Sequence, residues 1–171
     1  ATFPVTFDGI VWQGILSGDG TQQVTLSSVT ITSTSDSIIP SANASAITAQ
    51  KVNGGAALAA NGWTNGGSPY FSWTPGVDSE SGVKGYCAYI GTDNTANPVT
   101  TKGMLGASPV NPGTACQFVI AGTSLDLATP GYLATQFTSS NSPYYLVLKT
   151  IDNAGNVSAT STQFAFRFDN T

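Results

Sequence analysis

Hydrophobic and polar residues alternate along most of this chain with a period of two, as in strands with one buried face, and helical periodicity is nearly absent. Phe3, Val5 and Phe7 are interleaved with Pro4 and Thr6, and a second apolar piece at residues 10–16 is interrupted by Gly14. Gly18-Asp19-Gly20 signals a turn, after which Val24, Leu26, Val29 and Ile31 continue the alternation. Residues 33–40, closing at Pro40, read as a linker. Beyond it, strand patterns recur at residues 47–52, 70–73, 83–90, 116–120, 132–137, 144–150 and 163–168, separated by Gly, Pro, Asn and Ser clusters. The helical candidates at residues 44–52 and 125–128 are short, and the small-residue run at 56–60 lacks capping chemistry. Regularly spaced strands without intervening helices predict an all-β antiparallel sandwich over residues 38–171, with residues 1–37 as an N-terminal β extension and linker. That extension is too small to stand alone in water. The connection at residues 92–114 is long for a sandwich, and such loops tend to be functional or decorated.

Strand alternation also predicts the core. Tyr86, Ala88 and Ile90 share one face, and Tyr144, Leu146 and Leu148 form a wholly apolar face on a later strand. Trp73, at the end of an early strand, has the bulk to fill the sandwich centre.

Composition narrows the function. Charged residues make up 8% of the chain, against about 25% in an average soluble domain, while 40% are hydrophobic. Ser, Thr, Asn and Gly supply most of the polar surface, a composition common in extracellular β-proteins. The formal net charge is −4 and the five basic residues are scattered, so the clustered basic footprint of a nucleic-acid binder is missing. No apolar run is long enough to insert directly into a membrane as a helix. Ala1 opens directly onto alternating β-type sequence, the expected start of a processed chain or of a piece of a larger one. With no histidine, Ser-His-Asp and Cys-His catalysis and the commonest zinc sites are excluded. Glu80 is the only glutamate, and eight aspartates fall mostly in turns, a poor basis for a facing acid–base pair. No phosphate-cradling glycine motif is present. The expectation is therefore a protein that is not an enzyme and requires no cofactor.

Trp63-Thr64-Asn65, Pro69-Tyr70-Phe71-Ser72-Trp73-Thr74 and Asp78-Ser79-Glu80-Ser81-Gly82-Val83-Lys84-Gly85-Tyr86 follow one another at sandwich spacing. Leu148-Lys149-Thr150-Ile151-Asp152-Asn153-Ala154-Gly155-Asn156-Val157-Ser158 and the closing Phe166-Arg167-Phe168-Asp169-Asn170-Thr171 come later. Together they resemble the fibronectin type III-like and bacterial Ig-like repeats of large microbial cell-surface proteins, over about residues 38–171. Ser-Gly-Val-x-Gly-Tyr and Asp-x-Ala-Gly-Asn are the most specific pieces. The resemblance implies an immunoglobulin-like antiparallel β-sandwich, secreted to the cell surface, acting as a spacer, adhesin stalk or assembly unit. Residues 91–129 are longer than a compact repeat needs, and residues 1–37 have no counterpart in it.

Three binding chemistries can be read from the residues. In such a sandwich the loop after the second strand and the last hairpin lie at the same end. Here they carry Asp78, Glu80, Asp152, Asn153 and Asn156, hard oxygen donors of the kind calcium prefers; the alternative is that Asp152 only caps a turn in which Gly155 takes positive φ. Asp93, Asn94 and Asn97 form a further polar loop. Trp63, in a polar Asn/Gly-rich stretch, is a candidate platform for stacking on surface glycans, or else an aromatic folded over the sandwich edge. Asn43-Ala44-Ser45 and Asn156-Val157-Ser158 fit the N-glycosylation pattern, as chance matches would. Cys87 and Cys116 suit an oxidising compartment and are the expected disulfide, with two buried thiols as the alternative.

Phe3, Val5 and Phe7 are the expected assembly residues, since their apolar face needs cover from the chain's own sandwich or from a neighbouring copy or repeat. The expected function is a non-catalytic structural module of a surface protein, surface layer or filament. A carbohydrate- or surface-binding adhesin module is the alternative.

Overall fold

A computed structural model of the chain describes residues 2–7, 10–15, 36–111 and 116–171. They divide into two compact units, Ala1–Thr34 and Ser35–Thr171. In the first, β1 (Thr2–Phe7) and β2 (Ile10–Ile15) form an antiparallel hairpin. The register sets positions Phe3, Val5 and Phe7 opposite Gly14, Trp12 and Ile10. The alternating positions expected at 24–31 lie outside the described residues.

The second unit is an all-β sandwich. One sheet has the order β5-β11-β10-β7-β8: β5 (Trp63–Thr64), β11 (Thr162–Phe168), β10 (Tyr144–Asp152), β7 (Val83–Gly91) and β8 (Val119–Ile120). The other has the order β4-β3-β6-β9: β4 (Ala57–Leu58), β3 (Ser45–Gln50), β6 (Tyr70–Thr74) and β9 (Ser124–Asp126). All pairings within the two sheets are antiparallel except β5 with β11. Among the described residues there is no helix; the segment weighed as helical at 44–52 is mostly strand, and that at 125–128 is half strand and half turn. Alternation decides this: Ala49 of β3 and Leu125 of β9 each turn an apolar side chain into the core.

Between the sheets lie Phe71, Trp73 and Leu125 from one side and Tyr86, Ala88, Ile90, Leu146, Leu148, Phe164 and Phe166 from the other. Both predicted core faces are therefore interior. Phe71 meets Phe166 with ring centroids 5.6 Å apart, and Trp73 meets Tyr86 edge-on at 5.3 Å, geometries that suit aromatic quadrupoles.

Residues 85–91 of β7 are buried on both faces of the strand. Described parts of the long connection between β7 and β8 account for this. Cys116 packs with Cys87, Val119 and Ile151 on the outer face of the sheet, and Ala96 packs with Tyr89 and Val147 beside them. Cys87 and Cys116 form a disulfide with Cα atoms 5.6 Å apart, pinning the end of this cover onto β7. The cover also displaces a predicted strand. Residues 132–137 form no strand; Leu133 makes an isolated bridge to Leu105, and Gly106 N–H donates to Tyr132 O at 2.8 Å. Ala134 N–H likewise donates to Met104 O at 2.8 Å, so the long loop takes up part of this backbone, and Tyr132, Leu133 and Phe137 reach the core without a ladder.

Candidate metal centre

The loop at residues 75–82, between β6 and β7, and the hairpin at 153–161, between β10 and β11, meet at one end of the sandwich. Asn153 N–H donates to Gly82 O at 3.0 Å, and Asn153 Nδ2 donates to Ser81 O at 2.8 Å. The segment entering β3 joins the same end through a bridge between Ala42 and Val77. Gly76 permits that approach, because a Cβ there would stand 2.6 Å from Ala42 O and against the Thr150 side chain.

Three carboxylates converge here. One oxygen each from Asp36, Asp78 and Asp152 lies within 4.8 Å of the others. Asp152 is fully buried; its Oδ1 accepts from Asn156 N at 2.8 Å and its Oδ2 from Asn156 Nδ2 at 2.8 Å. The turn closes with Gly155 at φ 98°, as the capping reading requires. Asp78 Oδ2 accepts from Gly82 N at 2.7 Å and Ser81 N at 3.0 Å. Asp36 Oδ1 accepts from Ile38 N at 2.8 Å, a bond that lowers the pKa of this carboxyl, and Asn156 Nδ2 also reaches Asp36 O at 3.2 Å. The remaining oxygens, Asp36 Oδ2 and Asp78 Oδ1, are buried from solvent and have no hydrogen-bond partner. Among the described residues, no Lys or Arg pairs with any of the three.

Of the five residues read as calcium ligands, Asp78 and Asp152 stand in this cluster and Asn156 braces it with its amide. Glu80 is exposed and accepts from the Ser79 hydroxyl at 2.9 Å, and the Asn153 amide is spent on the Ser81 and Gly82 carbonyls. Asp36 falls within the expected linker at residues 33–40. Nothing in its Ser-rich surroundings marks it as a ligand, because only the tertiary approach at Gly76 brings its segment to this end.

The other candidates are placed as follows. In the polar loop at 93–97, Asp93 accepts from Thr95 Oγ1 at 2.7 Å and Thr95 N at 2.8 Å, which hold its carboxyl below the ordinary value. Trp63 is 45% exposed, and the Arg167 guanidinium lies over its ring, 5.8 Å from the centroid. Both glycosylation-pattern asparagines use their amides internally. Asn43 Nδ2 donates to Thr162 Oγ1 and Leu148 O, and Asn156 Nδ2 donates to Asp152 and Asp36. Phe3, Val5 and Phe7 lie on β1.

No protein-family model matches this chain, and comparison with curated proteins and with solved structures found no match.

Proposed function

We propose that this protein is a non-catalytic extracellular structural module of a surface protein, surface layer or filament, assembling through β-strand contacts. The observation that carries the reading is the β1–β2 hairpin. Among the described residues these six-residue strands pair only with each other, with Val5 in register with Trp12 and Phe7 with Ile10. A two-stranded ribbon is marginal in water by itself, and an unpaired strand edge is a template for another chain. The sandwich's own edge strands β4, β5, β8 and β9 are two or three residues long, so the hairpin offers the longer docking edge. The Cys87–Cys116 disulfide favours an oxidising, extracellular setting. No described helix is long and apolar enough to cross a membrane. The immunoglobulin-like sequence resemblance supports the same reading.

A second reading, an adhesin module that grips surface glycans, rests on the half-exposed Trp63 ring. Light scattering and electron microscopy of the full chain beside a variant lacking residues 1–14 test the first reading. Assembly by the full chain and monomers of the variant are expected, and equal assembly refutes it. If neither assembles while the full chain is retained on a glycan array and Trp63→Ala is not, the adhesin reading replaces it.

A further inference from the structure

We infer that Asp36, Asp78 and Asp152 bind one calcium ion, and that the ion fastens the chain entering the sandwich to the loops at that end. This inference stands apart from the assembly reading, since its residues all belong to the sandwich unit.

Two independent observations meet at the site. The first is the geometry of the donors. Calcium takes oxygen ligands at about 2.3–2.6 Å, so oxygens around one ion can be no more than roughly 5 Å apart. The three carboxylates offer oxygens within 4.8 Å of one another. The second is the orphaned polar atoms. Asp36 Oδ2 and Asp78 Oδ1, on partly buried side chains, are themselves shut off from water and make no hydrogen bond, beside the wholly buried Asp152 carboxylate. A buried carboxylate oxygen without a partner costs free energy that a cation would recover. Neighbouring charges make the need sharper: three carboxylates repel one another at this range, and no basic side chain among the described residues answers them.

The donors that do reach the cluster orient it. Ser81 N and Gly82 N hold Asp78 Oδ2, Asn156 N holds Asp152 Oδ1, and Ile38 N holds Asp36 Oδ1. Each of these bonds fixes one oxygen and leaves Asp36 Oδ2 and Asp78 Oδ1 unspent. A hard, all-oxygen donor set of this kind suits calcium; magnesium, smaller and reluctant to lose its water, fits such a flexible set of loops poorly. Because Asp36 precedes β3 while Asp78 belongs to the β6–β7 connection and Asp152 ends β10, a shared ion ties three distant parts of the chain together.

The test uses the full chain, freed of metal by chelator and dialysis, with calcium chloride as the titrant. Calorimetry should give one site per chain, with melting temperature rising by roughly 5–10 °C at about a hundredfold excess over Kd. Magnesium should bind at least about tenfold more weakly. Hydrogen exchange read by mass spectrometry should show residues 36–40 gaining protection when calcium is added. Asp78→Asn should abolish the calcium response, and Asp36→Asn should weaken it at least about tenfold and remove the added protection. Glu80→Gln should bind as the parent does. In the absence of metal both Asp→Asn variants should melt at or above the parent, because each removes a like charge while keeping the accepting oxygen. That comparison separates lost binding from lost folding. No heat and no melting shift with calcium would overturn the site. Parent-like binding and protection in Asp36→Asn would overturn the fastening.

Discussion

The Asn43 side chain is used in full. Its Oδ1 accepts from Thr150 N at 2.9 Å, Thr150 Oγ1 at 3.0 Å and Ser158 Oγ at 3.1 Å, and its Nδ2 donates to Thr162 Oγ1 and Leu148 O. It joins the segment before β3 to both β10 and β11, on the side where Thr150 and Ser158 are buried. Water cannot readily take its place there, so removal leaves several buried donors and acceptors short of partners. Asn43→Ala should destabilise the sandwich by about 2–4 kcal/mol, read from the midpoint of urea unfolding. A loss below about 1 kcal/mol would show that neighbouring groups repair the network. The same bonds make Asn43 a poor acceptor for sugar in the folded chain.

At the scale of strands and loops, the legible parts were those whose side chains face one core. β7 and β10 were read with their inward faces correct, because alternation reports burial wherever one face meets the other sheet. The run at 132–137 broke the rule, since Phe137 packs on Tyr144, Phe166 and Phe168 and Tyr132 on Phe118 although the run forms no strand, and the backbone of residues 132–134 bonds to residues 104–106 instead. The two-residue strands β4, β5 and β8 carry too few positions to show any period. The candidate site was half legible. Sandwich topology places the Asp78 and Asp152 loops at one end, but spacing says nothing about where Glu80 and Asn153 point or that Asp36 arrives there. Ala96 and Cys116 of the long connection after β7 cover the outer face of that strand, and the disulfide spans 29 residues of sequence. Closing a loop of that length should contribute roughly 3–4 kcal/mol through the unfolded chain. Reduction under native conditions should therefore lower the free energy of unfolding by that amount. It should also raise hydrogen exchange first around Tyr89, Ala96 and Val147, where the cover packs on the sheet. A uniform rise across both sheets instead would mean that the cover and the core unfold as one.

At the scale of the whole molecule, a sandwich with its own closed core and a hairpin with open edges imply two different kinds of stability. The sandwich buries its large side chains between its own sheets, so its melting temperature should not depend on protein concentration. The hairpin has only its own two strands among the described pairings, and a contact with a neighbouring copy would be governed by mass action. In a full chain that assembles, part of the native state's stability is then intermolecular and rises with concentration. Head-to-tail contacts of this kind need not close and can extend into filaments. Over about a hundredfold range of concentration, the full chain should melt several degrees higher at the top of the range, and a chain of residues 35–171 should show no such trend. Calorimetry at matched calcium concentration makes the comparison, since calcium would otherwise shift both chains. Parallel, concentration-independent melting of the two would place the hairpin's stabilising contacts within its own chain and remove the basis for assembly.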